Sequence, residues 1–253
     1  MKRRLCCVII ALSFLSSAAA AHFQVLIPSD DVPVEGGPVT FDLVFTHPMD
    51  RGPVMDMAKP QRFGVKRDGR ITDLTASLEE HRRDNKRAWR ARDDIKEPGG
   101  GIYFVEPQSY WEAAERKYII HYAKVVVDGF ASGNNWDEMV GLPVEIEPLT
   151  RPTGLWTGNI FSGVVRKNGR PLPNARVEVE YLNDGAVRAP NTAFVTQTIK
   201  ADAQGVFSYA MPRAGWWGFA ALTEGDTPVK GPDGTSAPVE IGGLIWVKAT
   251  DMK

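Results

Sequence analysis

Tyr118-Ile119-Ile120-His121-Tyr122-Ala123-Lys124-Val125-Val126-Val127 is the stretch that decides the fold. It is dense in β-branched and aromatic residues, and strict alternation puts Ile119, His121, Ala123, Val125 and Val127 on one side, as in a strand with a buried face. An imidazole on that face needs a partner for each nitrogen. Metal coordination backed by a carbonyl satisfies both, and so do two ordinary hydrogen bonds. Similar short runs recur along the chain between turns that draw on 18 prolines and 24 glycines, with no long helical periodicity. The chain therefore reads as all-β, and its 253 residues suggest two β-sandwich domains.

Upstream, Val39, Phe41, Leu43, Phe45 and His47 share one face of a strand that Pro48 ends, placing His47 at a strand terminus. Phe23, Val25 and Ile27 alternate with His22, Gln24 and Leu26, which gives a strand starting at His22. Pro60 to Val65 and Ile71 to Leu74 read as strands joined by a hairpin turn at Arg67-Asp68-Gly69-Arg70. The charged run from Glu79 to Lys96 reads as solvated surface, so His81 is left out of any site. Tyr110-Trp111-Glu112 reads as a packed loop or an aromatic wall.

Downstream, Leu142 to Thr157 reads as a closing strand followed by a linker, with a domain boundary near Pro152. Glu145 and Glu147 share a face of that strand, either exposed or as carboxylates near the histidines. The organisation expected is residues 1–21 as a signal peptide, 22–152 as an immunoglobulin-like sandwich and 153–253 as a second sandwich. The second half has neither a histidine nor a nucleophile paired with a base, so no enzymatic chemistry is expected from it.

The amino-terminal reading rests on a basic start (Lys2, Arg3, Arg4), an apolar run from Leu5 to Leu15 and a small-residue tail ending at Ala19-Ala20-Ala21. That run is too short for a permanent membrane span. Cleavage after Ala21 makes His22 the first residue, with its amine and imidazole able to chelate one ion. Cleavage after Ala19 makes it the third, the spacing of a square-planar Cu(II) or Ni(II) site. Both cysteines, Cys6 and Cys7, fall inside the signal, leaving no disulfide or thiolate ligand in a processed chain. Processing leaves 27 basic against 31 acidic residues, which does not suggest nucleic acid or an anionic membrane as a partner.

Two resemblances add to this. Ile160 to Val165, Lys167-Asn168-Gly169-Arg170-Pro171-Leu172-Pro173-Asn174-Ala175 and the turn Asp202-Ala203-Gln204-Gly205-Val206-Phe207 resemble the transthyretin-like or carboxypeptidase-regulatory sandwich. Ala21-His22-Phe23, Thr46-His47-Pro48-Met49, Ile119 to Val125, Glu145 to Pro152 and Gly215-Trp216-Trp217-Gly218-Phe219 resemble NikK-like periplasmic proteins. Those are a family carried as a domain of unknown function and linked to energy-coupling-factor-type nickel and cobalt uptake. Thr153 stands where that family commonly has an aromatic linker residue.

The second resemblance implies a periplasmic, non-enzymatic protein that carries Ni(II) or Co(II) and serves a membrane-embedded uptake transporter. It nominates His22, His47 and His121 as ligands. Nitrogen donors suit Ni, Co, Cu and Zn rather than Mg or Ca, which prefer oxygen. Two other functions fit the same residues: a copper oxygenase with an amino-terminal histidine brace, and a metal-free structural or adhesive sandwich pair.

Overall fold

The computed structural model describes residues 22–253. The export signal and its cleavage positions lie outside the described residues. Strands β1 (Phe23–Pro28) and β2 (Gly37–Thr46) pair antiparallel, with Phe23 opposite Thr46 and Pro28 opposite Phe41. Strands β3 (Arg62–Arg67) and β4 (Arg70–Asp73) form the expected hairpin, with Asp68 and Gly69 at φ of 48° and 73°. Two positive φ values in a row match the right-handed twist of the flanking strands.

The charged run is a second hairpin rather than plain surface, formed by β5 (Glu79–Arg83) and β6 (Lys86–Ile95) and turned at Asp84 and Asn85 with φ of 50° and 60°. Trp89, Ala91 and Ile95 fall on one side of β6 and are buried between the charges, which supplies the apolar face a strand needs. Next come β7 (Gly99–Glu106), β8 (Tyr110–Glu112) and β9 (Lys117–Gly129). Tyr110-Trp111-Glu112 is thus a strand, with Tyr110 opposite Ile119.

The rest of the chain continues with β10 (Val144–Pro148), β11 (Leu155–Trp156), β12 (Ile160–Lys167), β13 (Arg170–Pro171) and β14 (Arg176–Tyr181). It finishes with β15 (Gln197–Lys200), β16 (Val206–Ala210), β17 (Gly215–Glu224), β18 (Val229–Lys230), β19 (Ser236–Ala237) and β20 (Val239–Thr250).

These strands build immunoglobulin-like sandwiches around one long shared sheet, ordered β15-β14-β17-β20-β9-β7-β3-β4. A sheet ordered β1-β2-β6-β5 covers one half of it, and a sheet of β10, β12, β13 and β16 covers the other. The seam is parallel: β20 lies beside β9 with Val239 opposite Tyr118 and Trp246 opposite Val125. Alternation along β20 sends Leu244 and Trp246 into the first core and Ile245, Val247 and Ala249 into the second. Side chains alternate across a strand, so the two small sheets cover opposite faces of the shared one.

The strand β10, read from the sequence as closing the first half, pairs with β12 and buries Val144 and Ile146 in the second core. Strand β1 is buried on both faces. Gln24 Nε2 donates to the Val44 carbonyl of β2 at 3.4 Å, while Phe23 packs edge-on against Trp246, whose Nε1–H donates to the Gln24 carbonyl at 2.9 Å. That clamp fixes the chain at the residue next to His22.

Candidate functional site

Three histidines converge on one end of the first core. His22 precedes β1, and β2 ends opposite it, so the antiparallel register brings His47 alongside. The His22 and His47 ring centroids are 4.6 Å apart. Phe45 touches both His22, at 5.5 Å, and His121, at 6.0 Å and nearly perpendicular. His121 enters from β9 and is 2% exposed. His81, excluded on sequence grounds, sits on β5 instead, 4.0 Å from Asp42.

Two carboxylates that sequence reasoning passed over complete the arrangement. Glu112 on β8 lies 3.0 Å from His22 Nε2. Glu240 on β20 lies 3.1 Å from His121 Nε2 and also accepts from Lys117 Nζ at 2.7 Å. Burial alone would raise the Glu240 carboxyl, but the His121 and Lys117 hydrogen bonds and charges outweigh it and hold it at about 2. Burial is the main reason the His22 imidazole falls to about 4, and repulsion from His47 and His121 adds to it against the attraction of Glu112. His22 is therefore a neutral ring at ordinary pH, with a lone pair to offer.

The His121 ring lies against Gly242, its neighbour across the parallel seam. A Cβ at Gly242 would stand 2.5 Å from His121 Cδ2, so only glycine leaves room for the ring. The Gly242-Gly243 pair inside a strand was the local sign of this close approach. Nothing local marked Glu112 or Glu240 among the 31 acidic residues. His22, Glu178 and Glu240 line a cavity of about 450 Å³, and Arg176 pairs with Glu178 at 2.5 Å. His121, Phe45, Gln24 and Met57 line a smaller one of about 50 Å³.

Glu145 and Glu147 do not join the histidines. Glu145 is buried against Lys124 at 2.6 Å and accepts from the backbone N–H groups of Val140, Gly141 and Leu142. Glu147 pairs with Arg166 at 2.5 Å. Among the described residues, no three His, Cys, Asp or Glu side chains are gathered tightly enough to hold a metal ion as they stand. Nor is any helix among them long and apolar enough to cross a membrane.

A family model described as a domain of unknown function, DUF4198, matches residues 19–225. No curated protein matches the sequence. Among solved structures, the chain is similar to a protein provisionally described as membrane anchored, from Corynebacterium diphtheriae, at 9% identity and TM-score 0.24, covering 91% of this chain and 60% of that one. It is also similar to the Dpr2 Ig1-Ig2 region in its complex with DIP-Theta, at 13% identity and TM-score 0.23, covering 87% and 65%. A third is the titin Ig tandem A164-A165, at 8% identity and TM-score 0.20, covering 92% and 100%. The chain spans less than two thirds of the first two, and likenesses this weak carry no argument about function.

Proposed function

This chain belongs to the DUF4198 family, and we propose that it is an extracytoplasmic carrier of a divalent transition metal ion, held through His22, His47 and His121. The ion is cargo, Ni(II) or Co(II), handed to a membrane-embedded uptake component. What supports this reading above all is the 4.6 Å contact between the His22 and His47 rings, in which His22 is held at about 4 by burial and by its histidine neighbours. A neutral His22 imidazole packed against a second imidazole under desolvation suits a borderline cation. Export and cleavage before His22 would add its α-amine as a further nitrogen donor.

Isothermal titration of the processed protein with Ni(II) and Co(II) tests the reading. Wild type should bind one equivalent, and the His47→Ala, His121→Ala double variant should not. Equal binding by both proteins, or none by wild type, would sink it.

One observation favours a second reading. The His22 and His47 rings are in contact, and an amine with two imidazoles is the donor set of a copper-binding histidine brace. Copper-loaded, reduced protein that leaves oxygen and polysaccharide untouched would remove that option.

A further inference from the structure

We propose that Glu240 is a positioning residue that fixes the Nε2–H tautomer of His121, so that this histidine presents Nδ1 to the metal. This rests on the metal-binding reading above, but its first step is a property of the metal-free protein. An ionised carboxylate has no proton to give and can only accept. The 3.1 Å hydrogen bond between His121 Nε2 and the Glu240 carboxylate, which also accepts from Lys117, therefore requires the proton on Nε2. In the neutral ring the lone pair is then on Nδ1.

Two further features agree. His121 Nδ1 is buried and has no hydrogen-bond partner among the described residues, which leaves a desolvated acceptor open to another group. The ring edge carrying Cδ2 and Nε2 lies against Gly242, which turns the edge carrying Nδ1 away from β20. A carboxylate behind the ligand also raises the basicity of the donor nitrogen, and losing such a partner typically weakens metal affinity about 10- to 100-fold.

Long-range proton–nitrogen correlation spectra of metal-free, ¹⁵N-labelled processed protein read the tautomers directly. His121 should show the Nε2–H pattern. In Glu240→Gln, the amide can either donate or accept, so the His121 preference should collapse to a mixture while the fold is retained. The variant should weaken Ni(II) binding about tenfold in titration.

An Nδ1–H pattern at His121 in wild type, or an unchanged pattern together with unchanged affinity in Glu240→Gln, overturns the proposal. The two readings fail separately. The correct tautomer without any Ni(II) binding would defeat the carrier function, whereas Ni(II) binding with an Nδ1–H ring at His121 would defeat only the assignment of the donor atom.

Discussion

The Lys124–Glu145 pair, which links β9 to β10, and the histidine end of the first core both bury polar side chains, and they do so in opposite ways. Lys124 and Glu145 are each 1% exposed, and Glu145 is satisfied from all sides by an ammonium and three backbone N–H groups. At the histidine end, His121 Nδ1 lacks a hydrogen bond and His22 is held neutral by burial. The first arrangement is complete in the protein alone. The second leaves a buried ring nitrogen without a hydrogen bond among the described residues, the opening that the proposed metal site would use.

The strongest way to break this contrast is Lys124→Met. It strands a buried carboxylate, and the expected loss is about 3–5 kcal/mol, read as a lower denaturant midpoint. Adding Glu145→Gln should recover part of that loss. A single variant no less stable than the double would mean the pair is not the compensated unit described.

Next in size is Glu180, on β14. It is 1% exposed, accepts from Met49 N–H at 3.0 Å and from Thr196 Oγ1, and is pushed up to about 7 by burial. The folded protein thus holds a proton between pH 4.5 and 7 that the unfolded chain, with an ordinary glutamate, has released. Stability should therefore fall as pH rises through that window, by roughly 3 kcal/mol, and level off above it. Glu180→Gln should remove this fall, gaining stability at pH 8 and little at pH 5. Equal slopes for the two proteins would place the titration elsewhere.

Gly242→Ala should cost about 1–3 kcal/mol through overpacking against His121, and should shift the His121 ring resonances and weaken metal binding. A silent substitution would contradict the placement of the ring. The smallest effect is expected from His47→Ala, which takes away one cause of the low His22 midpoint. That midpoint should rise in an NMR titration yet stay below 6.5, because burial is the larger cause.

Much of this was legible in the sequence, and the losses have physical reasons. Alternation from Tyr118 to Val127 gave β9 and its buried histidine, and the Asp68-Gly69 turn gave the first hairpin. The hairpin from Glu79 to Ile95 was hidden because its buried face is built from small alanines and one tryptophan among charges, with Lys59 Nζ 5.8 Å from the Trp89 ring. For the site, the histidines stood out by type and phase. Glu112 and Glu240 did not, since nothing local distinguishes a glutamate that meets a histidine across strands from one that meets water.

The parallel seam also sets an order of assembly. Glu240 lies 119 positions beyond the histidine it contacts. While the chain emerges from its amino end, β9 must wait with one edge unpaired, its row of isoleucines and valines open to other chains, until β20 arrives. A segment left exposed for so long is where self-association competes with folding and where a holding chaperone acts. Closure of that edge is also the event that delivers the carboxylate to His121, so a molecule that has not finished folding lacks the completed site.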